Sequence, residues 1–298
     1  MAAKHVVIGL PHLDALAGLA EPSIEDYCRA AAEYVTHATR LGKEYVDDLA
    51  AYQAELDEAH VKDVDEDAEP AEDEPEAPKA GRAKKTPKPP SKGKVAQIRL
   101  SAALGRALLH DLRERIDVMN RGRPSKERIT AFKSAFAGER KVGGGLRAVN
   151  ADLSEMTTEN GLTLAVEIKP VHLALGRAIW NRFGDIRSFA VNIHLKFPFA
   201  IVGAVTTYPT EERVASGRDD RWKSTEHLIA RAIGRFRKVG TRDREDQAPY
   251  LLEGTCVVVF DHETGDIHPS LPPPGESLRW DEFVDRLVDQ YVLRFVEE

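Results

Sequence analysis

Two β-prone runs flank Asn160-Gly161 between Val149 and Pro170, and no other stretch limits the fold of this chain so narrowly. Asn-Gly in that setting is the strongest short-range hairpin signal, a two-residue turn with positive φ at both positions. On such a turn Asp152 faces Lys169, Ser154 faces Glu167 and Glu155 faces Val166. Side chains alternate along a strand, so Asp152, Glu167 and Lys169 share one face and Glu155 takes the other.

Two carboxylates and an ammonium on one pleated face are costly to bury. Paired carboxylates repel unless a divalent cation lies between them, and hard oxygen ligands suit Mg²⁺. A lysine beside them orients or polarises water for attack on a phosphate. The plainer alternative is an edge strand that Glu167 and Lys169 keep soluble.

Asp152, fourteen residues, then Glu167-Ile168-Lys169 resembles the motif of the PD-(D/E)xK nuclease superfamily, with Ala151 where proline often stands. Further on, Asn181-Arg182-Phe183-Gly184-Asp185 precedes His194, Phe197-Pro198 and an apolar run to Gly203. Those segments are similar to the ones that follow the motif in a group of type II restriction endonucleases. The resemblance spans roughly 145–270. It implies a restriction-endonuclease-like α/β core, a central mixed sheet flanked by helices. Mg²⁺ would be held by Asp152, Glu167 and the Ile168 carbonyl, with Lys169 positioning the attacking water. The implied reaction is hydrolysis of double-stranded DNA to 5′-phosphate ends, often by a homodimer. Asn181 and Arg182 would face the DNA, and a cognate methyltransferase encoded nearby would mark a restriction role.

The chain divides by composition. Residues 23–56 read as one long helix, capped by Ser23 and Asp26 after Pro22, with Tyr27, Tyr34, Val35, Leu41, Tyr45, Leu49, Tyr52 and Leu56 near helical spacing. This makes 1–56 an N-terminal helical segment. From 57 to 95 the text is acidic, then Pro/Lys/Ala-rich, with almost nothing to bury, as in a disordered charged linker. The remainder, 96–298, reads as the nuclease domain, with a helical part at 96–140.

The net charge of −7 hides an uneven distribution. Residues 1–56 carry nine acids against four Lys/Arg, and 57–94 eleven against eight, whereas 95–147 carry twelve bases against five acids. That basic stretch is a candidate phosphate-facing footprint. It includes Arg99, Arg106 and Arg113 at seven-residue spacing, beside a Leu100, Leu104, Leu108, Leu112, Ile116 stripe. Arg121-Gly122-Arg123-Pro124 matches the core of an AT-hook, although a Pro-initiated helix start has the same letters. A helix is expected over 222–239, where Arg231, Arg235 and Lys238 oppose the apolar face and suggest DNA-phosphate contacts.

Further expectations are a helix over 173–196 burying Leu173, Ile179, Trp180, Phe183, Ile186 and Ile193. Strands are expected at 199–206 and 251–260, a turn at 261–266, and a closing helix at 280–296. Gly143-Gly144-Gly145 lacks the Gly-Lys-Ser/Thr that a nucleotide loop needs. His262 and His268 lack the spacing and the asparagine of an HNH nuclease. Cys28 and Cys256 form neither a disulfide framework nor a zinc cluster. With no spanning apolar run and no secretory N-terminus, the expectation is a cytoplasmic protein. A non-catalytic DNA-binding protein on the same fold, or a repair or mobile-element nuclease, remain alternatives to restriction.

Overall fold

The computed structural model describes residues 7–47, 50, 52, 89–216 and 219–296. The hairpin forms with a different turn. β2 (Val149–Thr157) and β3 (Gly161–Ile168) are joined by Thr158, Glu159 and Asn160. Thr157 pairs with Gly161, and only Gly161, at φ +66°, is left-handed; Asn160 is not. A bulge between Glu155 and Met156 then brings Glu155 opposite Leu164, Ser154 opposite Ala165 and Leu153 opposite Val166. The expected partners Lys169, Glu167 and Val166 for Asp152, Ser154 and Glu155 are therefore wrong. Continued one step, the register sets Asp152 opposite Glu167. The slip amounts to two residues, and an even slip leaves every side chain on its expected face.

Five strands form a mixed sheet in the order β1-β2-β3-β4-β7. β1 (Phe136–Val142), β2 and β3 are antiparallel; β3, β4 (Ile201–Pro209) and β7 (Gly254–Phe260) are parallel. β3 and β4 are buried on both faces, as a centre covered by helices requires. A second, two-stranded sheet pairs β5 (Glu211–Ser216) with β6 (Asp219–Ser224). Trp222 and Lys223 thus lie in a strand, and the helix expected over 222–239 is shorter, α5 (Glu226–Val239).

One sheet face carries α4 (Leu175–Lys196) and α5, through Ile179, Ile186, Ile193, Ile229 and Phe236. Leu173, expected to be buried, is exposed before α4 begins. The other face carries α1 (Pro11–Gly18), α2 (Ile24–Leu41), α3 (Lys92–Met119) and α6 (Trp280–Phe295) around one apolar core. α6 reaches the sheet because Gly203 pairs with Gly254 and a Cβ on either would crowd the Phe283 ring, at 3.2 and 2.9 Å.

α2 opens with the expected Ser23–Asp26 capping box but ends at Leu41. Tyr45 bridges to Ser91, so the helix read over 23–56 is broken at Gly42. Leu49 and Leu56 lie outside the described residues, as do 57–88 of the expected linker. Its last residues, Lys92 to Val95, are helical, because Ser91 caps α3. The helical part expected over 96–140 ends at Met119, and 136–142 is a strand. The leucine stripe of α3 is buried as expected, and the three arginines at seven-residue spacing are each engaged by other parts of the chain. Arg99 lies 3.6 Å from Asp14, Arg106 donates to the Leu16 carbonyl, and Arg113 to those of Phe132 and Ala135. These three of the twelve bases thus clamp the N-terminal helices and the segment before β1, whereas Arg121, Arg123, Lys126, Arg128, Lys133, Lys141 and Arg147 are exposed. Among the described residues no helix is long and apolar enough to cross a membrane.

Candidate metal-assisted hydrolytic site

β2 and β3 bring the three motif residues together. β1 shifts register between Ala137 and Arg140, so Gly138 and Glu139 oppose the single residue Asp152. The Asp152 carboxylate accepts the Ile168 amide at 2.6 Å, which fixes it against the end of β3. Lys169, one residue past β3, has its ammonium 2.5 Å from Glu167 Oε1 and 3.8 Å from Asp152 Oδ2. Its backbone N–H binds the Val205 carbonyl, so the lysine is anchored to β4.

The electrostatics are unusual for a structural cluster. Burial raises the Glu167 carboxyl to about 7; Lys169 opposes this, and the Asp152 and Asp185 charges add to it. Burial likewise raises Asp152, against Lys169 and the Ile168 amide. Burial alone would lower the Lys169 ammonium, but Glu167 and Asp152 outweigh it and hold it above its ordinary value. Glu167 Oε2 is buried with no hydrogen-bond partner. Such an orphaned atom costs about 1–3 kcal/mol in a fold that gains nothing from it. Hard, partly unsatisfied carboxylate oxygens are the donor set that Mg²⁺ takes, so the residues fit the expected cation.

Two cavities flank the cluster. The first, about 470 Å³, is lined by Lys94, Gln97, Asp152, Lys169, His172 and Arg182 among others. The second, about 380 Å³, is lined by Glu139, Arg147, Glu167, Lys169 and Asp185 among others. Glu139 and Lys169 border both. At the first cavity His172 is buried against Tyr27 and Thr207, and burial holds it neutral, down at about 3.

The other expected residues are spread more widely. Arg182 reaches the first cavity and pairs with Asp185 at 2.9 Å; Asn181 is exposed and lines neither cavity. Arg231 and Arg235 stack on Trp180 of α4, at 5.3 and 4.2 Å from its ring centre. Among the described residues neither has a carboxylate partner, and Lys238 is exposed one turn further on. Arg121 and Arg123 follow the far end of α3, about 30 Å along that helix from Gln97. They are exposed, with Gly122 at φ +80°, and do not approach the cluster. His194, part of the downstream resemblance, is committed to Glu253 Oε2 at 3.2 Å and the Pro249 carbonyl at 3.0 Å. Its role is to tie α4 to the strand ends.

The sequence reading missed Glu139, Arg147, Asp185 and His172 as lining residues. Only Asp185 carried a signal, as the last residue of the Asn-Arg-Phe-Gly-Asp segment. A tighter grouping of possible metal ligands among the described residues is His110, Asp111 and Glu114 on α3. There Asp111 accepts the Trp280 indole at 2.6 Å and His110 lies 3.5 Å from Glu21, so these two already serve packing. No family model, curated protein or solved structure matches the chain.

Proposed function

We propose that this protein is a Mg²⁺-dependent endonuclease of restriction type that hydrolyses double-stranded DNA to 5′-phosphate ends. One observation carries the reading: the cluster at the end of β3 leaves Glu167 Oε2 buried and unpartnered beside Asp152 and Lys169. Lys169 occupies only the other oxygen of Glu167, so Oε2 remains open as a ligand for a cation. The order hairpin, helix, parallel strand, with the acids on the hairpin, supports a restriction-endonuclease-like core.

In this mechanism Asp152, Glu167 and the Ile168 carbonyl would hold the cation. When bound, it would supply Lewis-acid stabilisation of charge developing on the phosphate. The Ile168 amide keeps Asp152 oriented. Lys169, held cationic by the two carboxylates, positions the attacking water and favours hydroxide character. Arg182 guides a backbone phosphate at the first cavity, and Asn181 lies on the same helix facing the duplex. Arg231, Arg235 and Lys238 track phosphates along α5, with the exposed Arg121 and Arg123 as a more distant contact. A homodimer would place two such sites on opposite strands.

The test is incubation of the full chain with plasmid or phage DNA, with and without Mg²⁺, followed by mapping of the ends. Discrete fragments with 5′-phosphates are expected, only with the cation. A smear would favour a nonspecific repair or mobile-element nuclease. Intact DNA that is nevertheless bound would leave a non-catalytic DNA-binding protein and remove the catalytic reading.

A further inference from the structure

We infer that Glu139, outside the recognisable motif, is a third acidic group acting on the cation held by Asp152 and Glu167; this rests on the metal-dependent reading above. An exposed glutamate on a sheet edge is ordinarily a solubilising residue, so its placement must carry the case. β1 is not regular where Glu139 sits: Gly138 and Glu139 together oppose Asp152. Bulges of this kind re-aim a side chain and recur beside active sites. Here the re-aimed residue borders both cavities, the one with Asp152 and the one with Glu167. Only Lys169 among the cluster residues does the same.

Two further observations agree. The Asn150 side-chain amide donates to Glu139 Oε1, so the carboxylate is held at the cavity mouth by the neighbouring strand. The group that points independently to a ligand is Glu167, 6% exposed, whose Oε2 has no partner and which lines the same cavity as Glu139. A cation drawn to that oxygen from the second cavity passes Glu139, which lines the same cavity.

The decisive measurement is cation affinity without DNA, by calorimetry with Mg²⁺ and by electron paramagnetic resonance with Mn²⁺. Glu139→Gln should weaken both about tenfold or more, the scale seen when a group supporting a metal site is removed. Its melting temperature in EDTA should stay at the wild-type value, since the residue is exposed. Glu159→Gln, an exposed carboxylate at the hairpin tip, should leave affinity unchanged and so excludes a general charge effect. If Asp152→Asn loses the cation while Glu139→Gln binds like wild type, the inference fails and the nuclease reading stands. If the wild-type chain binds neither ion, both fail together.

Discussion

Glu167 and Glu253 are both buried, one within β3 and one just before β7, and their surroundings treat them in opposite ways. Glu253 is saturated. Its Oε1 meets Arg242 at 2.5 Å and Arg294 at 2.9 Å; its Oε2 accepts the Val202 amide at 2.8 Å and lies 3.2 Å from His194. Burial would raise this carboxyl, but the His194, Arg294 and Arg242 contacts win and hold it below its ordinary value. Glu167 has one ammonium on one oxygen, nothing on the other, and a carboxyl raised to about 7. The difference separates a carboxylate that the fold uses from one that it keeps available. Burial of charge is common to both, so burial alone identifies neither.

The largest contrast comes from matched substitutions. Glu167→Gln and Asp152→Asn, with Lys169→Ala, should each lower DNA cleavage about 10²–10³-fold or more, the scale of losing one preorganised charge-stabilising group. Glu253→Gln should instead destabilise by about 3–5 kcal/mol, because two buried arginines lose their counter-charge. The pH profiles should diverge as well. Glu167 is raised in the fold, so the stability present below about pH 4.5 is lost as pH climbs towards 7, roughly 3 kcal/mol in EDTA. Glu167→Gln should flatten that decline. Glu253 is lowered, so its contribution is present above its ordinary pKa and disappears on acidification. Thermal melts from pH 4 to 8 decide the matter: a Glu167→Gln protein less stable than wild type at pH 8 in EDTA would break the distinction.

The basic face of α5 should give a smaller effect. Arg231 and Arg235 are braced by Trp180 rather than by carboxylates, unlike Arg237, which pairs with Glu276 at 2.6 Å. Replacing Arg231, Arg235 and Lys238 with glutamine should weaken DNA binding and reduce the salt slope by about 0.9 for each phosphate no longer neutralised. Arg237→Gln, already neutralised by Glu276, should change the slope little. Equal effects of the two changes, in fluorescence titrations at several salt concentrations, would show that α5 does not track phosphate.

The hairpin and the shared face of Asp152, Glu167 and Lys169 were legible because alternation survives an even slip. The turn was not, since the bulge at Glu155/Met156 depends on packing that Asn160-Gly161 does not encode. β1 escaped notice because Phe136 to Val142 alternates poorly, and the bulge that presents Glu139 exists only against β2. Charge was the least informative guide. Arg99, Arg106 and Arg113 looked like a footprint, yet Arg99 and Arg106 are turned inward and the exposed Arg113 is held by the Phe132 and Ala135 carbonyls. The N-terminal helix was readable to Leu41, but its union with α3 and α6 in one core was not, because helical periodicity names a buried stripe without naming its neighbour.

A third buried glutamate refines the contrast. Glu155 sits on the same strand as Asp152, and Ser134 at 3.2 Å and Thr163 at 3.0 Å donate to its carboxylate. Tyr291 of α6 also hydrogen-bonds to it, so it faces the core that α3 and α6 cover. Its partners are neutral hydroxyls, which places it between the saturated Glu253 and the orphaned Glu167. Glu155→Gln keeps the shape and most of the acceptors, so it should cost about 1–2 kcal/mol in stability, the scale of a weakened buried hydrogen-bond set. Cleavage should stay within a few-fold of wild type, because the even slip keeps Glu155 off the Asp152–Glu167–Lys169 face. An inactive but fully folded Glu155→Gln protein, paired with an active Asp152→Asn, would move the metal ligand to the other face of β2 and dissolve the distinction among the three glutamates.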